Sequence, residues 1–578
     1  MYRRDKIVRF PSPLQLAMTD DVTNDAYKEL LRGPHSGDAS YLEPPDNSYP
    51  ISRLPSEILV HIFAYLVTIR SAFMWTRPTY LDFTHVCHDW REIALNTPSL
   101  WTQPDFRWLG WVREMLRRSK DAPLHVRYRI DEMITVLSFE DAMMDILVHI
   151  HRIASLYLYL ELQSGDKKGF NRTLLALDKP APLVHTVRFG FFRALHPSNI
   201  PFPQHLFADE APNLRNLFLD GCHFRWNSPL LKHLTTFSLR THDRATMAPC
   251  DQCPTTKRFM EILEAMPELE VLNLDCSLPS HLSEAPDFAH TVHFPRMRDL
   301  RLVRSSVTDC TNLLQRISFP QSTTVEVSCI PLHHQNDELP LFSALSHMFA
   351  SCPDSQTQTS FEKLGVESTV IGMARPTLSL KAYDSIYASF PQIKIRLSVN
   401  RPSEAPLVQP AITALPLASL QILIFTCTDC SISCFATCFG SLPNLRVIKL
   451  TQRDAVNIVL ALREGLEGDG SSESSTLPFP ALETLFMRDV DFGDLCHNDM
   501  FAGILVKRAE RGAQLTSLQL RECIGLRSEE IDRFKEVAKE VNVDWDGYYI
   551  ERDGDEDSEV EEEYECYEQQ VSDYESEE

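Results

Sequence analysis

Apolar residues recur along most of the chain in one short pattern, apolar-x-x-apolar-x-apolar, with polar positions between them. It is clearest in NLRNLFLDGC (213–222), ELEVLNLDCS (268–277), RMRDLRLVRS (296–305), NLRVIKLTQR (444–453), ALETLFMRDV (481–490) and QLTSLQLREC (514–523). The leading apolar residues are separated by 55, 28, 148, 37 and 33 positions. Weaker copies fill the long gaps: LTTFSLR, TTVEVSC, QIKIRLSV and LQILIFT. PLHVRYRI, SLYLYLEL and VHTVRFGF extend the series upstream. Alternating apolar positions predict strands, and the segments between them, such as KRFMEILEAM (257–266), DAVNIVLALREG (454–465) and MFAGILVKRAERG (500–512), have helical spacing. Strand, turn, helix and strand at this repeat length predict an α/β solenoid with a parallel sheet on its concave side and helices on its convex side. An ordinary α/β domain is the alternative, and it would carry glycine-rich strand–helix turns; only 19 glycines are present.

The pattern changes near the N-terminus. In ISRLPSEILVHIFAYL (51–66), Pro55 suits the first helical turn, where its missing N–H costs nothing, and Glu57 favours the partial positive charge there. Ile58, Leu59, Ile62, Phe63 and Leu66 then form one helical stripe. A second helix is predicted near 82–95, with Phe83, Val86, Cys87, Trp90, Ile93 and Ala94 as its stripe and Asn96-Thr97-Pro98 as its stop. On periodicity alone, a hairpin packed on the rest of the protein accounts for both helices. Apolar helix faces are usually core, and a helix that keeps its apolar face for another protein is the alternative.

LPSEILVHIFAYL followed by THVCHDWREIAL resembles the F-box family, and NTPSLW and WVREMLRRSKDAPLHV resemble fungal F-box-like proteins. The long connection TIRSAFMWTRPTYL departs from the family pattern. The resemblance implies docking on a Skp-type adaptor that joins the chain to a cullin-based ubiquitin ligase. Carried onto this sequence, it makes Leu54, Pro55, Ile58, Leu59, Ile62, Phe63, Leu66, Val86, Cys87 and Trp90 the docking surface and its supporting core. Burial of several such side chains, at roughly 25 cal/mol per Å², is enough gross energy for a stable interface. The repeats resemble leucine-rich repeats. The last copy looks like the cysteine-containing subtype, with Cys523 at the turn position that Cys222 holds in its own copy.

A chain of 578 residues is too long for one compact core, in keeping with a repeat array. Its formal charge of −24 argues against nucleic acid as the main partner. Residues 551–578 hold 15 acidic side chains and one basic side chain, and they read as a disordered tail. Arg488, Lys507, Arg508 and Arg511 stand in the last copies and offer basic side chains for a transient contact with it. No signal peptide or membrane span is legible; LPLASLQILIFTC (415–427) is too short. The 15 cysteines read as reduced thiols, and the chain as intracellular, in the cytoplasm, the nucleus or both. The sequon at Asn171 is then irrelevant.

Candidate chemistry is sparse. Cys427, Cys430, Cys434 and Cys438 have the residue types of a zinc site, but structural zinc usually joins two separated pairs, so buried thiols are the expectation. Cys250 and Cys253 lack a second pair, and His333 and His334 sit in a polar loop. No phosphate-binding loop, nucleophile elbow or His-Glu-x-x-His helix occurs. No cofactor or metal is expected. The sequence thus predicts a non-catalytic receptor subunit: a leader over 1–50, an F-box over 51–101, a leucine-rich-repeat-like solenoid over 102–548 that holds a target protein, and an acidic tail over 549–578. A repeat scaffold with no ubiquitin role is the alternative.

Overall fold

A computed structural model of the protein describes residues 54–71, 79–106, 109–129, 136–161, 173–192, 205–222, 224–241, 254–279, 291–330, 339–350, 360–369, 377–398, 405–426, 430–451, 456–463, 477–492, 500–537 and 540–548, with Ile51 and Pro203. The expected leader and acidic tail, Cys250, Cys253, His333, His334, Cys427 and Asn171 lie outside the described residues. The chain divides into two units, Met1–Leu234 and Thr235–Glu578.

The first unit opens with helices α1 (Ser56–Ser71), α2 (His88–Leu95) and α3 (Leu109–Ser119), with 3₁₀ turns at Thr79–His85 and Pro98–Trp101. Strand β1 (Leu124–Arg129), helix α4 (Val136–Leu147), and strands β2 (Ile153–Glu161), β3 (Thr186–Phe192) and β4 (Asn216–Asp220) follow. These four strands pair in parallel. Two apolar rungs cross them, Val126–Leu156–Val187–Leu217 and Tyr128–Leu158–Phe189–Leu219, and every member is buried. The rungs are the alternate apolar positions of the sequence pattern, brought level by parallel register.

The second unit repeats this plan in strands β5 (Thr236–Arg240), β6 (Val271–Asp275), β8 (Asp299–Ser305), β10 (Thr324–Cys329), β14 (Ile422–Thr426), β15 (Val447–Thr451), β16 (Thr484–Arg488), β17 (Ser517–Arg521) and β18 (Asn542–Trp545), with the short pair β7 (Val292–His293) and β9 (Ile317–Ser318) beside them. Its helices are α5 (Thr256–Glu264), α6 (Val307–Leu314), α7 (Leu339–Ala350), α8 (Ala405–Thr413), α9 (Ile432–Phe439), α10 (Val456–Ala461), α11 (Met500–Glu510) and α12 (Ser528–Val537). Parallel pairing is broken once. Strands β11 (Lys363–Thr369), β12 (Thr377–Tyr383) and β13 (Ile393–Ser398) lie in the order β10-β13-β12-β11-β14. Here β12 runs antiparallel to both neighbours, which corrects the expectation of a purely parallel sheet. The rungs continue through the reversal, as in Ile395–Leu380–Val366–Phe425–Leu450–Met487–Leu520. Apolar alternation is kept whichever way a strand runs.

The turns share one device. The residue just past the strand is left-handed at Gly221, Cys276, Asp489 and Glu522, with φ between 51° and 68°. Just beyond it, Cys222 and Cys523 repeat one contact: each thiol donates to the carbonyl two residues back, Asp220 O and Arg521 O, both at 3.4 Å. Each also reaches a carbonyl of the preceding strand, Phe189 O at 4.0 Å and Met487 O at 3.5 Å. Burial pushes both thiols up, Cys523 to about 11. The cysteine position read from the sequence is therefore a buried turn-closing thiol. Arg508 is not on the surface as expected. It is fully buried in α11 and donates to Pro478 O and Phe479 O, both at 2.8 Å, while Arg488 is paired with Glu522 at 2.8 Å.

Candidate docking site

Helix α1 begins directly after Pro55, whose carbonyl accepts from Leu59 N at 3.2 Å, and Glu57 occupies the first turn. Two apolar stripes run along it, about 100° apart around the axis. Leu59, Phe63 and Val67, spaced four residues apart, are buried. Ile58, Ile62 and Tyr65 form the other stripe and stay exposed, at 47%, 36% and 67%. Leu54 and Leu66 are half-buried against the core, and Pro55 is exposed.

The buried stripe is held by aromatic packing. Phe63 stacks on Phe83 with centroids 4.5 Å apart and an interplanar angle of 7°, and it meets Trp90 at 5.1 Å. Trp101 donates its indole N–H to Ala94 O at 2.9 Å, packs edge-on to Trp111 at 5.7 Å, and lies under the Arg118 guanidinium at 4.5 Å. Glu114, bound by Arg117 and Arg118, is held below the usual carboxylate range, chiefly by the Arg117 hydrogen bond. One core therefore runs from α1 and α2 into Trp111 and Met115 of α3, past the expected boundary at residue 101.

The predicted second helix is two pieces. After the 3₁₀ turn Thr79–His85, Cys87 takes an extended conformation (φ −155°, ψ 171°) and caps α2. Val86 and Cys87 therefore leave the stripe and face solvent, Val86 at 60% exposure. Phe83 and Ala94 are buried as expected, and Ile93 and Trp90 pack against the same cluster. A groove of about 580 Å³ separates α1 from α2, lined by Glu57, Val60, His61, Asp89, Glu92 and Ile93 among others.

The ten residues carried over from the resemblance thus divide by position. Leu59 and Phe63 are core; Leu54, Leu66 and Trp90 border it; Pro55, Ile58, Ile62, Val86 and Cys87 are exposed. Sequence reasoning missed Tyr65, although it stands seven residues after Ile58 on the exposed stripe. Exposed large apolar side chains in a row mark an interaction surface more than chance exposure does.

Elsewhere, Cys430 and Cys438 are buried and Cys434 half-buried, and burial pushes the Cys438 thiol up to about 12. Among the described residues, no group of three or more His, Cys, Asp or Glu side chains is placed to hold a metal, and no helix is long and apolar enough to cross a membrane.

Comparison with protein families matches residues 51–107 to the F-box-like family. Among curated proteins, none matches the chain. The matched segment contains α1, α2 and both 3₁₀ turns, and ends just before α3. Residues 51–107 are an F-box-like domain, followed by a large sheet-rich region of mostly parallel strands.

Proposed function

We propose that this chain is the non-catalytic substrate-receptor subunit of a Skp–cullin–F-box ubiquitin ligase. The observation that carries the reading is the exposed apolar stripe Ile58–Ile62–Tyr65 on an F-box-like helix whose neighbouring stripe is already buried. A helix that only supported the fold would bury one stripe and present polar side chains on the other. Here the exposed stripe, extended by Pro55 and Val86, is the face that receives a Skp-type adaptor, while Leu59, Phe63, Leu66 and Trp90 support it from beneath. The sheet region is a leucine-rich-repeat-like solenoid, supported by the recurrent apolar rungs, the left-handed turn residue and the buried turn cysteine. It holds the target, and the receptor contributes proximity rather than chemistry. The test is co-purification of the full chain with a Skp-type adaptor and a cullin. Recovery of the chain with neither would leave the repeat scaffold without a ubiquitin role.

A further inference from the structure

The reversed strands of the second unit form a hairpin, β12–β13, that the repeat plan does not require. Its connecting loop, residues 384–392, carries Tyr387 at 88% and Phe390 at 85% exposure, the two most exposed large apolar side chains among the described residues. The loop beneath them is pinned. The Lys363 ammonium donates to Ala388 O at 2.9 Å and Ile386 O at 3.4 Å, Glu362 accepts from Ile386 N at 3.2 Å, and Gln392 donates to Gln321 O at 2.5 Å. Exposed rings carried on a backbone that is already held leave less chain to be ordered on binding. Tyrosine and other large aromatics are the side chains that most often anchor protein interfaces.

Charge on the same hairpin indicates what the anchor faces. Lys363 occupies the strand face opposite the buried Leu364 and Val366, so its bonds tie the loop to the rim of that face. Lys381, Lys394 and Arg396 stand on this face of β12 and β13. Lys381 is paired with Glu367 at 2.7 Å and Lys394 with Glu326 at 2.6 Å. Arg396 is exposed and has no carboxylate partner among the described residues. It stands level with Ser328 and Ser379, and the Ser379 hydroxyl makes no hydrogen bond. The carboxylate in the loop, Asp384, is at the opposite end of the hairpin from Arg396. About six residues separate Phe390 from Arg396, roughly 20 Å along a strand.

We propose that the β12–β13 hairpin is a target-contacting surface for an extended acidic peptide, which sets an apolar side chain against Tyr387 and Phe390 and an anionic group on Arg396 roughly 20 Å away. Lys363 is held by carbonyl oxygens and the Tyr383 ring, so it and Arg396 are two cations on this face without a carboxylate partner among the described residues, too few for a polyanion such as nucleic acid, whose binding draws on many phosphate contacts. A bidentate carboxylate does suit the Arg396 guanidinium. The inference rests on the reading of the sheet region as target-binding and names the chemistry of that binding.

The test selects a random linear peptide library on the immobilised full chain. It then measures one enriched peptide by fluorescence anisotropy against three proteins: the unaltered chain, Arg396→Glu, and Tyr387→Ser with Phe390→Ser. All three positions are exposed, so the variants keep the fold, and circular dichroism checks this. Enriched sequences rich in Asp and Glu with one large apolar residue are expected, with at least about a tenfold loss of affinity in each variant. Basic or unenriched sequences, or equal affinity across the three proteins, would overturn the proposal. So would enrichment seen only after deletion of residues 551–578, which would assign the surface to the chain's own acidic tail. A dimer that Tyr387→Ser with Phe390→Ser converts to monomer would assign it to a second copy. Adaptor capture, read on the same preparations, separates the two hypotheses: its loss with peptide binding intact counts against the F-box reading alone.

Discussion

Replacing Ile58 and Ile62 together tests the docking stripe, because both side chains lie at the helix surface with a third or more of their area in solvent. Fully burying an isoleucine is worth roughly 1.5–3 kcal/mol relative to leaving it exposed. Ile58 and Ile62 keep 47% and 36% of their surface in solvent, so an adaptor that covers both gains at most about 1.2–2.5 kcal/mol from them. Ile58→Ala with Ile62→Ala should therefore weaken adaptor binding by roughly sevenfold to sixtyfold. Ile58→Asp with Ile62→Asp adds two unpaired charges to an apolar contact, at several kcal/mol, and should abolish binding. On the same scale the covered part of the two side chains limits the loss of folding stability in the alanine pair to about 1.8–3.5 kcal/mol, so binding is compared under conditions where the variant is folded. Phe63→Ala is the contrast: it removes a fully buried ring stacked on Phe83 and should cost about 3–5 kcal/mol of folding free energy. Titration calorimetry with purified adaptor measures the first quantity and urea unfolding the second. An aspartate pair that binds at full strength, with a normal unfolding midpoint, would refute the assignment of this stripe.

Further expectations concern stability and thiol chemistry. Trp111→Ala, although outside the matched segment, should destabilise the F-box-like domain by about 3–5 kcal/mol and lower adaptor capture, because Trp111 shares its core; limited proteolysis within residues 54–106 reads this out. Lys120, exposed and left-handed (φ 49°) just past α3, should be replaceable by glycine with a gain of about 0.5–1 kcal/mol, visible as a higher urea midpoint. Maleimide at about pH 8 should modify Cys87, which is exposed, and spare Cys222, Cys438 and Cys523, as mass spectrometry of digested protein will show. Burial raises Cys438 from 9.0 to about 12, so the folded state holds its proton more tightly than the unfolded chain does. That contribution to stability is complete below about pH 9 and is lost as pH rises toward about 12, which alkaline unfolding curves will register.

The rungs were legible because a strand whose core face is wholly apolar writes its register into alternate positions. VLNLD and TLFMR read as strands by inspection, and both became β6 and β16. Strands β11 and β12 escaped notice. KLGVEST interrupts its alternation with Gly365, TLSLKAY has no leading apolar residue, and alternation carries no sign of strand direction, so the reversal was invisible. At the candidate docking site the sequence puts Ile58, Leu59, Ile62, Phe63 and Leu66 on one stripe, because Leu59 and Phe63 are as apolar as Ile58 and Ile62. Only the placement of Phe83, Trp90 and Trp101 shows which stripe is taken and which is left open. The break at Val86 and Cys87 was hidden because both fall where a continuous helix would want apolar residues.

The left-handed turn residues bear on how the chain tolerates change. Glycine fits this conformation best, yet it stands only at Gly221 among the four turns, while cysteine, aspartate and glutamate occupy the equivalent places. Each non-glycine residue there gives up roughly 1–2 kcal/mol of backbone ease and keeps a side chain in exchange. Glu522 uses its side chain to clasp Arg488, one strand back. Left-handed Arg304, near the end of β8, does likewise with Asp275 at 2.6 Å. One backbone geometry thus serves several different side chains at these stations, and neighbouring strands are joined there by ionic clasps, each of which can be changed without disturbing the apolar rungs beneath.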